Sequence, residues 1–108
     1  MTIELPPTIS AFFHAHNTGR TDDFKELFTD NALVSDEAHE YRGAAIKEWI
    51  DGAIAKYKPV AGVTDLNEVG VQTIATAQVS GNFPGSPTQL RYKFTLMHGK
   101  IAALSIGP

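Results

Sequence analysis

Cysteine is absent from the chain, which removes disulfides and thiolate chemistry from consideration and leaves the redox compartment open. No apolar run approaches the ~18 residues of a membrane span. The first ten residues, MTIELPPTIS, lack the basic region and apolar stretch of a signal peptide. A cytoplasmic protein with no membrane partner is therefore expected. Positive charge is scarce as well: nine Lys and Arg against twelve Asp and Glu give a net charge of −3. With no Lys/Arg-rich stripe, nucleic acid is not an expected partner. The four His residues are scattered and none stands at zinc-ligand spacing. Gly81 and Gly85 flank prolines and do not open a helix, so no phosphate loop is present. No metal and no organic cofactor is expected.

What remains is an ordinary globular composition. The 108 residues are 43% hydrophobic and 19% charged, enough for a single domain, 1–108, with one core.

Pro6 and Pro7 open a first helix, whose apolar positions Ile9, Phe12 and Phe13 are joined by His16 at helical spacing. His14 lies about 100° away from His16 on that helix. Each histidine reads either as a hydrogen-bonded or surface residue or, given a partner, as a functional one. Asn17-Thr18-Gly19 ends the helix, Gly19 suiting a left-handed cap. A second, short helix is predicted from Thr21 as N-cap, with Asp22 and Asp23 in its first turn and Phe24, Leu27 and Phe28 as its buried stripe. A strand over Ala32–Glu37, a polar connection containing His39, Glu40, Tyr41 and Arg42, and Gly43 lead into a third helix, Ala44–Tyr57. Its apolar face carries Ile46, Trp49, Ile50, Ala53, Ile54 and Tyr57. Trp49 reads as a core residue or as a pocket wall with its N–H toward a cavity.

Beyond Pro59 the pattern becomes that of strands. Val60–Val69 reads as an edge, Val71–Val79 alternates, and Gly81 to Pro87 forms a stiff, turn-rich connection. Gln89–Met97 is the clearest strand, with Leu90, Tyr92, Phe94 and Leu96 on one face and Arg91, Lys93 and Thr95 on the other. His98-Gly99 is a tight turn into the last strand, Lys100–Ile106. The order α-α-β-α-β-β-β-β predicts an α+β fold: a cone of three helices on a strongly curved, mostly antiparallel sheet, enclosing a central pocket.

Within the Ala32–Glu37 strand, Asp36 shares a face with Ala32 and Val34. A carboxylate in such surroundings is a candidate general base; the alternative is a strand-end Asp that caps the following turn.

The run FKELFTDNALVSDEAHEYRGAAIKEW resembles the shared core of the nuclear transport factor 2-like superfamily, in its SnoaL-like branch. The segment VSGNFPGSPTQLRYKFTLMHGKIAALSI resembles the last three strands of small bacterial members. The likeness runs from Phe12 to Ile106 in the expected order, and its most specific part is LFTDNALVSDE…RGAAIKEW. It implies a proton-shuttling carboxylate at Asp36, because ketosteroid isomerase, a relative, has its catalytic Asp at the end of this strand. SnoaL-like polyketide cyclases also use a pocket acid for proton abstraction beside a carbonyl. Two departures accompany it. The isomerase's oxyanion-hole Tyr aligns with Phe12, and its late-strand Asp aligns near Lys93, so steroid isomerisation by that mechanism is not expected. The Asp-Arg-Asp group of the superfamily's epoxide hydrolases would need a second acid that is not well placed here, although Arg42 and Arg91 are available.

Two functions follow. The first is isomerase- or cyclase-type proton transfer on a small hydrophobic carbonyl compound of unknown identity. Asp36 would be the base, and His16, His14, Tyr41, Lys93 or Arg91 the electrophilic donor, with His16 preferred. Phe12, Phe13, His14, Val34, His39, Tyr41, Trp49, Phe83, Tyr92 and Phe94 would contact the substrate. The second is a non-catalytic module that binds a small apolar ligand or dimerises through its sheet. A homodimer is implied by the resemblance in either case.

Overall fold

The computed structural model describes residues 3–108. Helix α1 (Pro7–Thr18) begins after two prolines, and the Ser10 N–H donates to the Pro6 carbonyl at 2.9 Å. It ends where Gly19 adopts φ +75° and donates its N–H to the Ala15 carbonyl, the left-handed cap that glycine accommodates without a Cβ penalty. Helix α2 (Ala44–Tyr57) follows Gly43, at φ +57° and ψ −131°, a region essentially reserved for glycine.

Six strands form one sheet in the order β2-β1-β6-β5-β4-β3: β1 (Phe28–Asp36), β2 (His39–Arg42), β3 (Val60–Val69), β4 (Gln72–Ser80), β5 (Thr88–Met97) and β6 (Lys100–Gly107). Neighbours are antiparallel except β1 and β6. Register shifts occur in β1 between Phe28 and Leu33, in β3 between Val63 and Asp65, and in β6 between Ile101 and Ala103, opposite Thr95 and Leu96 of β5. Bulges of this kind bend strands and raise their twist. Val60–Val69 does lie at an edge of the sheet, as its poor patterning predicted.

One sheet face carries the core. Ala32 and Val34 on β1, Thr73, Ala75, Ala77 and Val79 on β4, Tyr92 and Phe94 on β5, and Ile101 and Leu104 on β6 are buried against Ile9, Phe12 and Phe13 of α1 and Ile46 and Ile50 of α2. Phe12 stands at the centre, edge-on to Phe13 and Phe94 at 5.1 and 5.3 Å and tilted on Phe24 at 5.5 Å. The opposite face presents Arg91 and Lys93 to solvent and is covered by neither helix. Among the described residues, no helix is long and apolar enough to cross a membrane.

Two expectations need correction. The described residues form two α-helices, not three: the predicted second helix is one 3₁₀ turn, Phe24–Leu27, and Phe28 already belongs to β1, paired with Ile101. Sheet pairing claims the residue that helical spacing would have assigned to the stripe. Thr21 does not cap this turn; its hydroxyl donates to Asp51 Oδ1 on α2 instead. The polar connection after Asp36 is also ordered, as strand β2, joined to β1 by a two-residue turn at Glu37-Ala38. Four residues were too few to show a period.

Candidate functional site

Each core element carries a different kind of residue at one of its ends. On α1 the apolar row Ile9, Phe12, Phe13 ends in His16; on β1 Ala32 and Val34 are followed by Asp36. Tyr92 follows Phe94 toward the start of β5. These three polar groups line one cavity of about 460 Å³, walled by Trp49, Ile50, Ala53 and Tyr57 of α2, by Val79, Leu90 and Ile106 of the sheet, and by Phe83, Pro84 and Gly85 of the β4–β5 loop.

The loop is held against the end of α2. The Asn82 N–H donates to the Tyr57 carbonyl at 2.7 Å, and the Gly81 N–H donates to Ser86 Oγ at 2.9 Å. A Cβ on Gly81 would stand 2.6 Å from the Tyr57 carbonyl oxygen, so this approach requires glycine. Phe83 is thereby set edge-on to Tyr57, 5.9 Å between centroids.

Asp36 is half-buried, and its Oδ2 accepts the Trp49 indole N–H at 3.0 Å. That contact supplies the partner a buried indole needs and leaves Asp36 Oδ1 without a hydrogen bond among the described residues. Glu37, the next residue, also lines the cavity. It and Ala38 form the β1–β2 turn at φ +50° and +64°, a left-handed pair that ordinarily calls for Asn-Gly and costs roughly 1–2 kcal/mol per L-residue.

His16 is only 6% exposed. Burial depresses its pKa below the ordinary 6.5, with the Asn17 hydrogen bond partly opposing, so the ring is neutral at pH 7. Its tautomer is fixed from outside. The Asn17 amide is clamped by the backbone of Ala61, Nδ2 donating to the carbonyl at 2.9 Å and Oδ1 accepting the N–H at 2.8 Å. Asn17 Oδ1 therefore faces His16 Nδ1, at 2.8 Å, and Nδ1 must carry the proton. Nε2 is left as an acceptor. This reverses the donor role expected of His16.

Tyr92 is 2% exposed. Burial first, and the charge of Asp36 second, push its pKa well up, so the phenol stays protonated. Every fully buried side-chain N or O among the described residues has a hydrogen-bond partner. The Tyr92 hydroxyl and His16 Nε2 have none, so both must open onto the cavity. The site thus holds the neutral hydroxyl of Tyr92, with Tyr57 and Thr88 also on its wall, and acceptors at Asp36, Glu37 and His16.

Of the residues expected to contact substrate, Trp49, Phe83 and Tyr92 line this cavity, together with the expected pair Asp36 and His16. Phe12, Phe13, Val34 and Phe94 do not: they are core, at 0–4% exposure. Tyr41 does not line it either; its ring is tilted against Trp49, 6.0 Å between centroids. His14 lies exposed on the other side of α1, and His39 is exposed on β2 with Nδ1 at the Glu37 carbonyl. Arg91 and Lys93 point from the outer sheet face and supply no donor. Lys93, near which the late-strand acid aligns, faces outward, while its neighbours Tyr92 and Phe94 face inward. Sequence reasoning missed Glu37, Ala53 and Tyr57; the spacing 49, 53, 57 is a helical i+4 row that follows Trp49 directly.

Comparison with family models and with curated proteins finds no match. Among solved structures, a candidate polyketide cyclase from Sinorhizobium meliloti is 36% identical over 95% of both chains, with a TM-score of 0.91. A protein with a ketosteroid isomerase-like fold from Catenulispora acidiphila, in complex with trimethylamine, is 17% identical over 97% of this chain and 87% of its own, with a TM-score of 0.83. A nuclear transport factor 2-like protein of unknown function from Cytophaga hutchinsonii is 20% identical over 99% and 91%, with a TM-score of 0.74.

Proposed function

Because the chain belongs to the nuclear transport factor 2-like superfamily, in its SnoaL-like branch, we propose that its cavity takes a small hydrophobic carbonyl compound and that Asp36 moves a proton beside that carbonyl. The observation that carries this reading is the Asp36–Trp49 hydrogen bond at the wall of an apolar cavity. It holds one carboxylate oxygen and leaves the other free to accept a proton from carbon, the geometric condition on a general base. The C–H electron pair moves to the carbonyl oxygen, forming an enolate. The Tyr92 hydroxyl, protonated and unpartnered, donates to that oxygen; one such donor is ordinarily worth about 10²–10³ in rate. Returning the proton at another carbon completes an isomerisation. Attack of the enolate carbon on an electrophilic carbon of the same molecule closes a ring, as a cyclase does.

Deuterium wash-in at the α-carbon of 2-tetralone, followed by proton NMR, tests this. The protein is expected to accelerate exchange, and Asp36→Asn, which keeps an oxygen for the Trp49 N–H, is expected to lose about 10²–10⁴-fold with circular dichroism unchanged. Exchange equal in both proteins overturns the role of Asp36.

A second reading is a ligand-binding or dimerising module without chemistry, supported by the sheet face that no helix covers. Self-association through that face is compatible with either reading. Sedimentation as a monomer at high micromolar concentration would overturn it.

A further inference from the structure

The charges around the cavity do not suit an enolate alone. Asp36 and Glu37 line it, no Lys or Arg does, and neither carboxylate has a cation within salt-bridge distance among the described residues. Lys56, which is exposed, stands 5.1 Å from the Tyr57 ring centroid and does not line the cavity. The remaining polar atoms reinforce this imbalance. His16, more than nine-tenths buried, offers a free acceptor at Nε2, and Tyr92, more deeply buried still, offers a hydroxyl that can accept as well as donate. Around them are the faces or edges of Trp49, Tyr57 and Phe83, and aromatic faces attract cations, especially where water is displaced. An anionic ligand would meet two uncompensated carboxylates. A neutral one would leave both carboxylates without a partner of opposite charge.

We propose that the ligand of this cavity is a small, mainly apolar amine in its protonated form, with the ammonium group seated on Glu37 beside Asp36, the free Asp36 oxygen left for the C–H, and the apolar body against Trp49 and Phe83. The strained turn at Glu37-Ala38 has a consequence under this assignment, since it brings a second carboxylate to the cavity beside Asp36. The inference deepens the carbonyl reading and rests on it for chemistry: the substrate becomes an aminoketone. An ammonium group near the α-carbon acidifies the C–H and stabilises the enolate by its own charge. That supplies the positive charge that the protein does not.

Trp49 is the sole tryptophan and lines the cavity, so its fluorescence reports occupancy. Three probes of similar shape separate the charges at pH 7.5: N,N-dimethylcyclohexylamine as cation, cyclohexyl methyl ketone as neutral carbonyl, and cyclohexanecarboxylate as anion. The amine is expected to bind at least tenfold more tightly than the ketone, and the anion more weakly than both. Glu37→Gln, at an exposed position away from the core, is expected to cut the amine's advantage over the ketone several-fold. Asp36→Asn should cut it further. A ketone that binds as tightly as the amine overturns the charge assignment and leaves the carbonyl reading standing. An anion that binds best, an amine preference untouched by both substitutions, or no binding by any probe also overturns it. Deuterium wash-in on 2-tetralone judges the carbonyl reading separately.

Discussion

The two ends of the core are built from the same elements and differ in what those elements carry. At one end Phe12, Phe24, Phe28, Phe94 and Ile101 fill the space between α1 and the sheet, with rings in edge and tilted contact. At the other, β1 ends in Asp36, β5 begins with Leu90 and Tyr92, and α2 contributes Ala53 beside Trp49 and Tyr57. The packed end is filled by apolar side chains at 0–5% exposure, whereas at the open end the rings of Trp49, Tyr57, Phe83 and Tyr92 stand around a cavity of about 460 Å³. Protein interiors otherwise reach crystal-like density, so the cavity marks the place where these elements do not close on one another. Stability should therefore reside at the packed end and ligand recognition at the open end.

The strongest way to break this division is Phe94→Ala. Phe94 is fully buried and touches the rings of Phe12 and Phe13. Its removal deletes transfer free energy and leaves a void, a combination that typically costs 3–5 kcal/mol. Urea denaturation should show that loss. A change below about 1 kcal/mol would mean that the packed end is not where stability lies.

A smaller effect is expected at the seam between the two ends. Gly81→Ala would press a methyl against the Tyr57 carbonyl oxygen and within 3.2 Å of Pro59 Cα, both backbone positions that yield only if the loop shifts. Overpacking of this kind costs roughly 1–3 kcal/mol. Because the loop carries Phe83 and Pro84, ligand affinity measured by Trp49 fluorescence should fall with it. Lost stability with unchanged affinity would separate the loop from the site.

The pH dependence of stability sharpens the comparison further, because His16 is the titrating group at the boundary. Its folded-state pKa lies below the ordinary 6.5. Above pH 6.5 both states are neutral and His16 contributes no pH dependence. As pH falls through 6.5 the unfolded chain takes up the proton first, so stability declines until the folded-state pKa is reached and stays lower beneath it. His16→Gln should flatten urea midpoints over that interval relative to the parent. An unchanged slope would assign the decline to other groups.

These expectations differ in how much of them the sequence allowed. Helix α2 was legible to the residue, Ala44–Tyr57, because Gly43 and an unbroken apolar row mark it. Strands β3 to β6 were legible within a residue or so from alternation and the glycine turns. The second helix was not, because Phe24, Leu27 and Phe28 satisfy a helical period while long-range pairing with β6 decides the outcome, and no local pattern encodes a partner 73 positions away. The site divides in the same way. Asp36 and Trp49 could be named from residue type and position. That Phe12, Phe13, Val34 and Phe94 would be core, with the cavity walls falling to α2, the β4–β5 loop and the ends of the strands, depends on how the elements pack. The His16 tautomer depends on Asn17 reaching the backbone of Ala61, 44 residues on.

The smallest expected effect tests the face rather than the end. Lys93 stands between the inward residues Tyr92 and Phe94 but is exposed on the outer sheet face, paired across the ladder with Ile74 and Ser105. A side chain there has no path to Asp36 or Tyr92, since successive residues of a strand point to opposite faces. Lys93→Gln should change stability by less than about 0.5 kcal/mol and leave both wash-in rate and amine affinity where they were. A loss of either would mean that the outer face reaches the site through a second copy of the chain. The same variant run on a sedimentation column distinguishes that case, because only then would its association state change together with its affinity.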